Sequence, residues 1–182
     1  MDSSSAEEKP PVVLIVVDTL RADHLTLYGY ERPTSPFLES FAKGALVFER
    51  AQSTAPWTLP SFGSMFTGEL PSGHGAGVNP GEGNLESALS PRPGTLAEAF
   101  QAAGYATVGL VTNIYLKRAY GLDRGFSAYD DGLSMGHYPL LFQPISMVLG
   151  PEWMGPPYLQ ASVMAEKAKA VLAQRERGVF LV

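Results

Sequence analysis

Asp18 and Thr58 combine a reactive side chain with a place in the sequence where chemistry is commonly done. Asp18 closes the apolar run VVLIVV (12–17), and Thr58 stands in Ala55-Pro-Trp-Thr-Leu-Pro-Ser61, just before Pro60, at the mouth of an expected helix. A helix N-terminus offers unpaired N–H groups and the positive end of the dipole, a natural seat for an anion. A hydroxyl held there is placed to attack a phosphoryl or sulfuryl centre, provided that a base or a metal activates it. A carboxylate such as Asp18 is a hard oxygen donor able to hold that metal. The same residue types also do humbler work, because a strand-ending Asp caps turns and a Thr caps helices. Spacing alone leaves both readings open.

The elements around these residues must position them. Residues 1–11 read as a disordered leader ending in Pro10-Pro11. The run 12–17 is β-branched with no polar alternation, which suits a strand buried on both faces of a parallel sheet. Asp18 then lies at that strand's carboxyl end, where open α/β sheets bind ligands. Ser35-Pro36 starts a helix with Leu38, Phe41 and Ala42 as its apolar stripe and Gly44 as its stop. Residues 45–51 (ALVFERA) predict a second strand. Residues 56–68 predict a turn and a short helix with Met65 and Phe66 inward. Residues 69–94, rich in Gly, Pro, Ser and Asn, read as one long loop.

Thr95-x-x-Glu98 is a capping box opening a helix that stops at Gly104. The next strand, 105–112, delivers Thr112 and Asn113 to the same sheet edge as Asp18. Residues 132–157 are irregular. Ala161, Met164, Ala168, Val171 and Leu172 trace one helical face, Gly178 ends that helix, and Val179 to Val182 begin another buried strand. Alternating buried strands and amphipathic helices predict an α/β fold with a mainly parallel sheet. The final strand lacks neighbours in this reading, so it would be an exposed edge, and the chain is expected to be a truncated part of a larger domain.

Composition removes several function classes. The 182 residues are 45% hydrophobic and 17% charged, as in globular proteins, with a net charge of −5 and scattered Lys and Arg. No basic stripe for nucleic acid is present. The absence of cysteine excludes disulfides, thiolate zinc sites and a cysteine nucleophile. The polar, acidic start lacks the pattern of a secretory signal, and no apolar run approaches the roughly 20 residues of a membrane helix. The cytoplasm is therefore the default expectation.

The run VVLIVVDTLRADHLTLYGYERPTSPFLESFAKGALVFERAQSTAPWTLPSFGSMFTGELPSGHG, with GLDRGFSAYDD further on, resembles the N-terminal region of sulfatase-like proteins of the alkaline phosphatase/sulfatase superfamily. The resemblance covers about residues 12–131. It implies an alkaline-phosphatase-like fold over 12–182, a divalent metal (Zn, Mn, Ca or Mg) and Asp18 as a metal ligand; by ligand counting Thr58 would add a second oxygen donor and Thr19 at best a neutral third. It also implies a nucleophile within a Cys/Ser-x-Pro-x-Arg element, which falls on Thr58-Leu59-Pro60-Ser61-Phe62. Three departures follow. Threonine cannot be oxidised to formylglycine, because its Cβ carries a methyl group. The motif's Arg is replaced by Phe62, and a second Asp after the first strand is replaced by Thr19.

Threonine nucleophiles occur in relatives that move phosphoryl groups, so the residue at 58 points to phosphoryl transfer. Some of those relatives use an Asn beside the transferred group, and Asn113 is this chain's candidate for that role. Lys117 is a candidate for substrate charge, with an ordinary exposed lysine as the alternative. His74, in Ser-Gly-His-Gly, is a candidate for touching substrate from a flexible loop. His24, Arg21 and Asp23 read as local structure, His137 has no visible partner, and Trp57 either shapes the pocket beside Thr58 or fills the core. The reading is a metal-dependent hydrolase or transferase acting on a small-molecule, lipid or glycan ester of sulfate or phosphate. Further metal ligands would come from a C-terminal half, leaving this chain inactive by itself. An arylsulfatase-type sulfuric ester hydrolase and a catalytically dead sulfatase-like binding protein are the rivals.

Overall fold

The computed structural model describes residues 9–78, 87–132, 160–174 and 178–182. Most of the irregular segment 132–157, with His137, lies outside the described residues. The chain divides into two compact units, Met1–Ile15 with Thr54–Val182 and, separately, Val16–Ser53.

The larger unit is built on a four-stranded sheet in the order β1-β4-β2-β3, from Val12–Val13 (β1), Ala106–Leu110 (β2), Ala128–Asp130 (β3) and Val179–Leu181 (β4). Every neighbouring pair is parallel. The α/β fold with a mainly parallel sheet is therefore present. One expectation is reversed: β4 is an interior strand, pairing Phe180 with both Val12 and Thr107. Its three residues are all buried, so this strand is no exposed edge. β1 is an edge instead. Its ladder covers Val12 and Val13, extended by the Leu14 N–H to the Leu181 carbonyl at 2.8 Å. Ile15 is 81% exposed, so the apolar run is not buried on both faces. An edge strand with one covered face explains the difference.

Side chains alternate across β4, so successive residues serve opposite layers. Val179 and Leu181 pack with Val108 and receive Ala168 and Val171 of the long helix Ala161–Ala173. Ala161 and Leu172 of the expected stripe remain exposed. Phe180 faces the other layer. It stacks on Phe100 at 4.1 Å and lies 6.1 Å from Phe126, which in turn sits 5.9 Å from Phe66. This aromatic series links the central strand to the helix Thr58–Thr67.

The predicted capping box is fully formed at the helix Leu96–Ala102. Glu98 N–H donates to Thr95 Oγ1 at 3.1 Å, and Thr95 N–H donates to Glu98 Oε2 at 2.7 Å. Thr95 Oγ1 also donates to the Arg124 carbonyl at 2.8 Å. Thr95→Ala removes both bonds made by the hydroxyl. It is expected to cost about 1–2 kcal/mol, read as a lower urea midpoint with an unchanged slope.

The smaller unit holds two 3₁₀ turns, Ala22–His24 and Thr26–Tyr28, and the helix Pro36–Ala42. That helix starts where Ser35-Pro36 predicts, yet the Ser35 hydroxyl does not cap it. It accepts from Thr26 N–H at 3.2 Å and lies 3.0 Å from Thr26 Oγ1. The apolar stripe is not covered either, since Phe41 is largely exposed. Residues 45–51 do not form a strand. No strand among the described residues accepts their backbone groups, and without a ladder an extended run has nothing to fix it.

Candidate active site

Thr58 is the first residue of the ten-residue helix Thr58–Thr67, and Trp57 precedes it in extended conformation. The Trp57 side chain makes no capping bond here, and Pro60 has no N–H to satisfy. Leu59, Pro60, Phe62, Gly63, Ser64 and Phe66 are buried, and Gly68 terminates the helix in left-handed conformation. Met65, expected inward, is 40% exposed. Phe62 points into the interior and meets Phe66 edge-on at 5.9 Å. An arginine in that orientation would bury an uncompensated charge, so the departure at this position agrees with its surroundings.

The carboxyl end of the strand Ala106–Leu110 leads to Asn113, which caps the 3₁₀ turn Ile114–Leu116. Its side-chain oxygen accepts from Tyr115 N–H at 2.9 Å. Tyr115 meets Trp57 edge-on at 5.4 Å. The turn that carries Asn113 is thereby packed against the residue next to Thr58. Lys117, partly exposed, joins this turn to the next one, Arg118–Tyr120. Trp57 also lies under Gly77, where a Cβ would come within 2.6 Å of the indole. Only glycine fits there, the more so at its φ of +68°.

His74 does not sit in a flexible loop. It ends the short helix Pro71–His74 and is 0% exposed. Its Nδ1 accepts from Ala76 N–H at 3.1 Å, which places the ring proton on Nε2, 3.0 Å from Ser64 Oγ. Burial lowers the imidazole's affinity for a proton below the ordinary value. A neutral, enclosed ring does not reach for substrate as a loop histidine would. The sequence held one unread signal for this contact, Gly63-Ser64 inside a helix. Glycine in a helix interior costs about 1 kcal/mol relative to alanine, which is worth tolerating only where something approaches closely.

In the smaller unit, Asp18 and Thr19 form an exposed turn, and Thr19 takes a φ of +60°. That conformation is strained for a β-branched residue. Further along, Arg21 grips Asp23 through Nε at 2.9 Å and a second nitrogen at 2.5 Å. This hydrogen bonding holds the Asp23 carboxyl down at about 2. His24 lies 3.4 Å from Asp23 and 4.9 Å from the Tyr30 ring. These three residues are engaged locally, as their sequence suggested.

The family model for sulfatases matches residues 10–182. The chain belongs to the sulfatase family. It is 29% identical over 107 residues to an N-acetylgalactosamine-6-O-sulfatase of Bacteroides thetaiotaomicron, covering 58% of this chain and 20% of that protein. It is 36% identical over 101 residues to an arylsulfatase of Clostridium perfringens, covering 54% and 20%. The chain therefore spans about a fifth of these curated sulfatases. Its fold matches the C-terminal periplasmic domain of EcEptC from Escherichia coli, solved in complex with Zn. The TM-score there is 0.54 at 16% identity, over 98% of this chain and 44% of the other.

The resemblance to sulfatases raises the expectation of a divalent metal. Among the described residues, however, no group of three or more His, Cys, Asp or Glu side chains could hold one. Asp18 offers one hard oxygen donor. Nor is any described helix long and apolar enough to cross a membrane.

Proposed function

We propose that this sulfatase-family chain carries the nucleophile of a hydrolase or transferase acting on phosphate or sulfate esters, with phosphoryl transfer as its chemistry. The observation that carries this reading is the placement of Thr58 as the first residue of its helix, with the Asn113 turn held beside it by Trp57 and Tyr115. Thr58 Oγ1 attacks the phosphorus in line, its proton leaving to solvent. The bond from phosphorus to the leaving oxygen breaks, and that oxygen departs with the electron pair. Helix N–H groups, Asn113 and Lys117 stabilise charge on the equatorial oxygens, where most of the catalytic work of such transfers lies. Water or an acceptor alcohol then attacks the phosphothreonine and releases Thr58. Asp18, with Thr19 beside it, is assigned to metal binding in the complete domain, jointly with ligands from outside this chain.

The competing reading is sulfate-ester hydrolysis, favoured by the names of the relatives. The residue at 58 weighs against its formylglycine form, because threonine cannot yield the aldehyde. The complete protein should turn over an aryl phosphodiester faster than an aryl sulfate. Mass spectrometry of the peptide around Trp57 should show unmodified threonine at rest and a phosphoryl adduct after an acid quench. A clear preference for the sulfate ester would overturn the phosphoryl assignment. Turnover of neither ester, with no adduct, would leave a sulfatase-like binding protein.

A further inference from the structure

His74 is fully buried, lies outside the chemistry just described, and joins more segments than any structural need of its own short helix explains. Its Nε2 meets Ser64 Oγ at 3.0 Å, within the helix that begins with Thr58. The ring lies so close to the helix backbone that a Cβ on Gly63 would come within 2.5 Å of Cε1. Its Nδ1 takes the Ala76 N–H at 3.1 Å, and its carbonyl takes the Ser90 N–H at 2.8 Å. The adjoining Leu89 N–H donates to the Tyr120 carbonyl at 2.9 Å. Residues 113–120 hold Asn113 and Lys117 and touch Trp57 through Tyr115. The imidazole thus grips the Thr58 helix from below, while its backbone is tied through 89–90 to the segment bearing the other candidate groups.

We propose that His74 is a positioning residue, clamping the Thr58 helix in register with the 113–120 segment so that the hydroxyl and Asn113 meet the same transferred group. This rests on the assignment of Thr58 as nucleophile. A rigid ring with one donor and one acceptor suits the task, because both nitrogens are committed and neither contact can slide independently. Displacing a nucleophile by a fraction of an ångström to 1 Å can cost up to a hundredfold in rate while hardly altering ground-state binding. The clamp should therefore appear in kcat and not in KM.

The test uses the complete enzyme with an aryl phosphodiester as probe. Ser64→Ala deletes one oxygen from the clamp, and Gly63→Ala pushes the ring off the helix without removing any polar group. Val171→Ala, in the layer on the far side of the sheet, is the control for lost stability alone. Both clamp variants are expected to lose at least tenfold in kcat with KM within about twofold of wild type, while Val171→Ala keeps its kcat. If Ser64→Ala retains the control's kcat, or its loss lies only in KM, the clamp is overturned. Thr58→Ala run alongside separates the two claims. An active Thr58→Ala sinks the nucleophile assignment, and the clamp with it. An inactive Thr58→Ala beside a fully active Ser64→Ala sinks the clamp alone.

Discussion

Thr58→Ala in the complete enzyme is expected to reduce kcat on an aryl phosphodiester by at least about a thousandfold, with folding intact. A covalent mechanism routes the whole reaction through one oxygen, and removing it leaves only substrate binding and electrostatic stabilisation. Structure should survive. Thr58 occupies the first turn of its helix, is only partly buried, and is followed by Leu59, Pro60 and Phe62, which hold the helix in the core. Alanine is the best helix former, so local propensity does not suffer. Circular dichroism and the thermal midpoint should therefore match wild type while the phosphoryl adduct disappears. Thr58→Ser keeps the hydroxyl and is expected to retain measurable turnover and the adduct. Wild-type rates in Thr58→Ala would remove this residue from the mechanism altogether.

Local signals were the legible part of the sequence. The Thr95–Glu98 box, the strand Ala106–Leu110 and the helix opening at Thr58 depend on side chains a few residues apart, and each is found close to where it was read. Strand order was not legible, because the pairing of Val179–Leu181 with both Val12–Val13 and Ala106–Leu110 joins segments far apart in sequence. The same limit misplaced 45–51, whose β-branched and aromatic residues favour a strand only when a partner ladder exists. At the candidate site, the candidacy of Thr58 and Asn113 was legible by type and by family resemblance. Their physical connection through Trp57 and Tyr115 was not, since an edge-on aromatic contact leaves no pattern in the chain. His74 was misjudged because Gly-rich surroundings look mobile. Here Gly63, on the neighbouring helix, admits the buried imidazole, and Gly77 admits Trp57.

Phe180→Ala is expected to be the most damaging substitution to stability, at about 3–5 kcal/mol. Phe180 is 1% exposed, in the middle of an interior strand with neighbours on both sides. Truncation forfeits the transfer energy of the ring and leaves a cavity that flanking parallel strands cannot close without breaking their ladder. The stacked faces of Phe100 at 4.1 Å and Phe126 at 6.1 Å lose their shared partner. Against a total stability of about 5–15 kcal/mol, this is a large fraction. The loss should also reach the site, because Phe126 leads to Phe66 and Phe62 inside the Thr58 helix. Phe41→Ala is the matched control, since the same side chain is removed from an exposed position; its effect should stay within about 0.5 kcal/mol. Urea unfolding of both variants in the complete protein, followed by circular dichroism, measures the difference. A Phe180→Ala midpoint close to that of Phe41→Ala would mean that the interior strand does not carry the core, and the layered packing described for this sheet would have to be abandoned.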